Sequence, residues 1–130
     1  MIPRLLKDTI FSRLHQGKVL ILLGPRQVGK STLLRHISQQ IQEKYVWINC
    51  DEPASRSVLS DASISDLRLV LGSNTMVFID EAQKVPHVGQ TLKLLADNFP
   101  EVQVVATGSS SFDLQNQLEE PLTGRKCEYL

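Results

Sequence analysis

Cysteine is scarce in this chain of 130 residues: Cys50 and Cys127 are the only two, with no CxxC pair and no Cys/His spacing that would hold zinc. One potential bridge is a weak basis for an oxidised scaffold, so both are read as reduced thiols, in the core or at the surface. Aromatic residues make up 5%, and there are seven glycines and six prolines, which excludes collagen-like and low-complexity readings. Charge of one sign is missing too. Fourteen basic residues face fourteen acidic ones, so no global field draws the chain to nucleic acid or an anionic membrane, leaving only local patches. The longest apolar run, Val19 to Leu23, is far too short to cross a bilayer. The segment from Met1 to Asp8 carries charges every few residues and lacks the apolar stretch of a signal peptide. A cytoplasmic location without membrane contact is the expectation. Length and the apolar fraction of 42% allow one domain with a real core and leave no room for a two-domain motor.

What is present is an alternation of two periodicities. Leu6, Ile10 and Leu14, with Phe11 beside them, predict a short amphipathic helix ended by Gly17. Val19 to Leu23 reads as a strand buried on both faces, as in a parallel sheet. A helix with Leu33, Leu34, Ile37 and Ile41 on its apolar face follows, then a strand from Tyr45 to Cys50 stopped by Asp51-Glu52-Pro53. Ser63 and Asp66 match a capping box before Ile64, Leu67, Val70 and Leu71, with Gly72 as the stop. Met76 to Ile79 is a third buried strand, Gly89 to Phe99 a helix closed by Pro100, and Val102 to Ala106 a fourth strand ending in Thr107-Gly108-Ser109-Ser110-Ser111. Phe112 to Glu120 is a helical segment broken by Pro121 and the Thr123-Gly124 turn, and Lys126 to Leu130 begins another strand. The order β-α-β-α-β-α-β predicts an α/β domain with a mostly parallel sheet between helical layers and right-handed crossovers.

Gly24-Pro25-Arg26-Gln27-Val28-Gly29-Lys30-Ser31 fits GxxxxGK[ST], and it sits between a buried strand and a helix, where the mechanism needs it. Such a loop wraps a phosphate with backbone N–H groups, so glycines stand where side chains would block approach, and the helix N-terminus adds partial positive charge. Lys30 supplies a mobile cation for the β- and γ-phosphates, and the Ser31 hydroxyl can ligate Mg²⁺. The binding set is the loop from Gly24 to Ser31 together with Thr32. Met76-Val77-Phe78-Ile79-Asp80-Glu81 places two carboxylates at the carboxyl end of a strand, the end outside which ligands of open α/β sheets lie. There Asp80 can reach the metal that Ser31 touches, and Glu81 is suited to deprotonate an attacking water.

Thr107 to Ser111 offers hydroxyls near the γ-phosphate, with Ser109 favoured; the alternative is a polar turn with serine as a helix cap. Arg125 after Gly124 either reaches a phosphate, in cis or across a subunit contact, or is a solvated surface arginine. Other phosphate-loop classes are set aside by what is missing. Asp80-Glu81-Ala82-Gln83 is not the DxxG of a GTPase, and none of Asn49, Asn74, Asn98 or Asn116 begins an NKxD motif. The same four residues spell the DEAQ of some helicases, but those need a second RecA-like domain that this length cannot hold. A small-molecule kinase gives no reason for a hydrolytic glutamate beside the metal aspartate, and no lid of clustered arginines is seen.

Three blocks carry a closer likeness: the run from Val19 through GPRQVGKS to Leu34, Phe78-Ile79-Asp80-Glu81-Ala82-Gln83-Lys84-Val85-Pro86, and Ala106-Thr107-Gly108-Ser109-Ser110-Ser111-Phe112, continued by Leu122-Thr123-Gly124-Arg125. In these the sequence resembles the AAA-like P-loop ATPases of bacteria and archaea that carry an uncharacterised C-terminal domain. The resemblance covers nearly the whole chain. It implies ATP and Mg²⁺ as ligands, Lys30 and Ser31 on phosphates and metal, Asp80 on the metal, Glu81 as base, Ser109 at the sensor-one position, and a three-layer fold with strand order 5-1-4-3-2. It puts Arg125 where family members enter the fifth strand, and it makes the C-terminal domain of the same protein and a homo-oligomer the expected partners.

Family members continue past the position of Leu130, so residues 1–130 are expected to be an N-terminal fragment with an incomplete fifth strand. Val19 to Leu23 would then lie at or near an exposed sheet edge, and nucleotide binding would survive better than turnover. Three functional expectations follow. The leading one is an ATPase whose turnover drives a conformational change in an attached or partner domain. The others are a nucleotide-gated interaction module with little turnover and a nucleic-acid remodelling enzyme.

Overall fold

The computed structural model describes residues 4–15, 19–24, 29–109 and 126–129. In chain order the elements are α1 (Arg4–Arg13), β1 (Val19–Gly24), α2 (Lys30–Gln40), β2 (Tyr45–Asn49), α3 (Pro53–Leu59), α4 (Ile64–Leu71), β3 (Met76–Asp80), a 3₁₀ turn (Ala82–Lys84), α5 (Val88–Asn98), β4 (Gln103–Ser109) and β5 (Lys126–Tyr129). The strands form one sheet in the order β2-β3-β4-β1-β5, with every neighbouring pair parallel. This is the expected 5-1-4-3-2 order.

The two-residue period of a strand explains the three layers. Val19, Ile21 and Leu23 of β1, Val77 and Ile79 of β3, and Val104 and Ala106 of β4 share one face and pack with Leu59, Leu67, Leu71, Val88, Leu92 and Leu95 from α3, α4 and α5. The intervening residues Leu20, Leu22, Met76, Phe78 and Val105 point the other way, onto Ile10 of α1 and Leu33, Leu34 and Ile37 of α2. Burial on both faces is why these strands are apolar at every position rather than at alternate ones. Each fully buried aliphatic side chain contributes about 1.5–3 kcal/mol. Phe78 anchors the second face toward the sheet edge, its ring edge-on to Tyr45 at 5.3 Å and tilted against Trp47 at 5.6 Å.

Two details depart from the sequence reading. Pro53 does not only stop β2: it stands in the first turn of α3, where a missing N–H is harmless and the fixed φ favours helix, so a helix forms where only a turn was expected. β4 runs on through Thr107-Gly108-Ser109, because pairing with β1 continues from Leu20↔Val105 to Gly24↔Ser109. β1 lies one strand in from the sheet edge. Lys126 to Tyr129 pair in parallel with Val19 to Leu22, so β1 lies between β4 and β5. The capping box forms as read: Ser63 Oγ accepts from the Asp66 N–H, Asp66 Oδ2 accepts from the Ser63 N–H, and this holds the Asp66 carboxyl below its ordinary pKa. Gly17, the helix at Phe112 to Glu120 and the Thr123-Gly124 turn lie outside the described residues. Among the described residues no helix is long and apolar enough to cross a membrane.

Candidate functional site

Parallel strands in register deliver their carboxyl ends to one rim of the sheet, and there β1 ends at Gly24, β3 at Asp80 and β4 at Ser109. Gly29 precedes α2 in the left-handed region, with φ 76°, and a Cβ built on it meets nothing within 4 Å. The glycine is therefore required by its backbone angle. Its carbonyl accepts the Leu33 N–H at 2.9 Å, which starts α2 immediately after the turn. Among the described residues no side chain caps α2. The first-turn N–H groups are thus directed toward the rim, an arrangement suited to an anion.

Lys30 and Ser31 open α2, and both side chains turn to the strand ends. Lys30 is buried, and its Nζ donates to the carbonyls of Gly24 at 2.6 Å and Gly108 at 2.9 Å. A buried ammonium is costly without partners, and carbonyl oxygens at the ends of two strands supply them. Ser31 Oγ donates to Asp80 Oδ2 at 2.6 Å. A hydroxyl and a carboxylate oxygen that converge this way are the hard donors Mg²⁺ selects when it also keeps water and substrate phosphate. Among the described residues no group of three or more His, Cys, Asp or Glu gathers that could hold a metal ion. Thr32 is exposed on the first turn of α2.

Asp80 and Glu81 are 6% and 8% exposed. Thr107, fully buried on β4, organises both: its Oγ1 donates to Asp80 Oδ1 and accepts the Glu81 N–H at 3.0 Å. Asp80 therefore receives a hydroxyl on each carboxylate oxygen, Ser31 on one and Thr107 on the other. Glu81 is left-handed at φ 57°, a conformation that costs a non-glycine residue energy and turns the chain sharply into the 3₁₀ turn. Gln83 in that turn donates from Nε2 to Glu81 Oε1 at 2.8 Å and to Ser109 Oγ at 3.3 Å, while its Oε1 accepts the Ser109 N–H at 3.2 Å.

Lys30, Ser31, Asp80, Glu81 and Ser109, expected from sequence to act together, are thus gathered with Gly24 at one rim. Pro25, Arg26, Gln27, Val28 and Arg125 lie outside the described residues. Two members were missed. Thr107 was only one hydroxyl among several, and Gln83 was noted only as a letter of DEAQ; both act through contacts 26 or 27 residues away that no local pattern records. Cys50 is buried beside the site, its N–H bonded to the Asp80 carbonyl at 2.9 Å. Burial first, and the negative charge of Asp80 second, push its thiol up to about 12, so the free thiol stays protonated at neutral pH.

Residues 16–130 match the family model described as an AAA domain. The chain belongs to the AAA domain family. It is 32% identical over 113 residues to an uncharacterized protein of Mycobacterium tuberculosis, a match that takes in 86% of this chain. That match covers 24% of the relative, so the chain spans about a quarter of its length. Among solved structures, Drosophila ORC bound to AT-rich DNA and Cdc6 superposes with a TM-score of 0.69 at 13% identity, over 97% of this chain and 52% of that one. The Thermotoga maritima RuvB Holliday junction branch migration motor does so with 0.61 at 20% identity, over 99% and 45%. These likenesses show the fold. This AAA domain is an AAA-like P-loop ATPase domain in fold and family.

Proposed function

We propose that this AAA domain binds ATP with Mg²⁺ and hydrolyses it, and that turnover drives a conformational change in a C-terminal or partner domain. The observation that carries the reading is the convergence of Lys30, Ser31, Asp80 and Glu81 at the ends of β1 and β3, with Ser31 Oγ 2.6 Å from Asp80 Oδ2. Lys30 exchanges its two carbonyl partners for phosphate oxygens and neutralises their charge. Ser31 and Asp80 hold the metal, which when bound offsets phosphate charge. Glu81 takes the proton of the attacking water, and Ser109 presents its hydroxyl to the terminal phosphate.

Phosphate release from ATP by the purified protein, followed with Mg²⁺ and again with the metal chelated, tests the proposal. Release is expected with the metal and lost without it. Tight ATP binding with ATP intact after long incubation would replace the reading with a nucleotide-gated interaction module. The hydrogen bond by which Gln83 Nε2 occupies Glu81 Oε1 favours that second reading. A nucleic-acid remodelling role draws on the AT-rich DNA named with one solved neighbour and the Holliday junction named with the other, and strong, steeply salt-dependent DNA binding would support it.

A further inference from the structure

Gln83 touches both Glu81 and the end of β4. Its amide orientation is settled by its partners. The backbone N–H of Ser109 can only donate, so the atom 3.2 Å away is the amide oxygen. The Glu81 carboxylate accepts, so the atom 2.8 Å from Oε1 is the amide nitrogen. Both contacts demand the same flip, and the same nitrogen also lies 3.3 Å from Ser109 Oγ. Gln83 can make these bonds because the left-handed Glu81 folds the chain back and the 3₁₀ turn begins at once. Thr107 holds that bend from the other side through the Glu81 N–H. The carbonyl preceding Ser109, that of Gly108, is bound by Lys30, so Gln83 meets β4 beside the residue that faces phosphate.

We propose that Gln83 is a positioning residue that couples the Ser109 hydroxyl to the Glu81 carboxylate. The proposal rests on the reading of Glu81 as the base. Ser109 accepts from Gln83, which leaves the hydroxyl's own hydrogen for a phosphate oxygen. When Ser109 turns to that oxygen, the long bond to Gln83 changes first, because at 3.3 Å it is the weakest of the three. The amide then moves with it, and the carboxylate oxygen on the other side of the same nitrogen is re-aimed. A filled phosphate position is thereby signalled to the base through one amide group, with no movement of β3 or β4 needed.

Gln83→Met keeps the volume and removes every hydrogen bond. It is expected to lower kcat 10- to 100-fold while the Kd for Mg·ATP changes less than threefold and the melting temperature holds. The independent readout is the side-chain amide of Gln83 in ¹⁵N NMR of the intact protein. Its resonances are expected to move with Mg²⁺ and a non-hydrolysable ATP analogue, to move less with Mg·ADP, and to lose that difference in Ser109→Ala. A kcat within twofold in Gln83→Met, a Kd that rises in step with the loss of kcat, or amide resonances unaffected by Ser109→Ala would overturn the coupling. Normal turnover in Glu81→Gln overturns the base assignment instead, and the amide resonances then decide the Gln83–Ser109 link alone.

Discussion

The two ends of the sheet both hold clustered polar side chains, yet they are built differently. At the carboxyl ends of the strands a lysine and two carboxylates are buried, and neutral groups hold them: the Gly24 and Gly108 carbonyls, the Ser31 and Thr107 hydroxyls and the Gln83 amide. At the amino ends the buried polar member is neutral. Gln103 accepts the His15 N–H at 2.6 Å and donates to the Val104 carbonyl at 2.9 Å, while Glu43 bonds His15 Nε2 at 2.7 Å and Thr75 Oγ1 at 2.7 Å and stays a third exposed. The amino-end bonds tie α1 and the chain before β2 to the start of β3 and β4, and the charges remain in contact with water. The carboxyl-end bonds join elements too, the 3₁₀ turn to β4 and α2 to β1, β3 and β4, but those of α2 do so through buried charged groups. Buried charge is costly in a fold, and its concentration at one rim is what motivates the ligand reading proposed above.

That contrast can be broken by substitution, and the largest effect should come at the carboxyl end. Glu81→Gln is expected to lower ATP turnover by about 10²–10⁴-fold with ATP affinity nearly kept, as loss of a general base does; normal single-turnover rates would remove Glu81 from the chemistry. Lys30→Ala should weaken ATP binding by about 10- to 100-fold, the equivalent of one charge-assisted hydrogen bond, with no loss of melting temperature. Calorimetric titration reads the first and thermal unfolding the second. At the amino end the signs reverse. Gln103→Ala should cost about 1–3 kcal/mol in urea unfolding by leaving the His15 N–H without its partner, while ATP affinity stays the same.

The smallest effect concerns Cys50. Its folded-state pKa is raised from the ordinary 9.0 to about 12, so the thiol stays neutral in the fold after the unfolded chain has ionised. The contribution is complete below pH 9 and declines as pH rises from 9 towards 12, by at most about 1.4 kcal/mol per pH unit. Urea midpoints over that range should fall more steeply in the native protein than in Cys50→Ala, and equal slopes would show that the thiol is not shielded.

Much of this architecture was legible in the sequence because its signals are local. An apolar run without alternation reports a strand covered on both faces, Ser63 and Asp66 report a helix start, and GPRQVGKS places Gly29 where φ is positive and Lys30 where a strand end meets a helix. What escaped lacked a local signal. Pro53 reads equally as the end of a strand or the start of a helix, and only the packing of Leu59 against the sheet selects α3. The extension of β4 depends on β1 being present to pair with Thr107, Gly108 and Ser109. The place of β1 between β4 and β5 was already implied by the family resemblance, and the parallel pairing agrees with it.

The sequence by itself determined the kinds of chemistry available: a phosphate loop, a hydroxyl and carboxylate for a divalent cation, and a second carboxylate beside them. Only the tertiary structure decided which groups hold these in place. Thr107 stands between Asp80 and Glu81, and Gln83 between Glu81 and Ser109, because parallel strands in register bring the ends of β3 and β4 to the same rim. The physical reason is distance along the chain. A motif is a property of neighbours in sequence, whereas a hydrogen bond across 26 residues exists only after the sheet has formed.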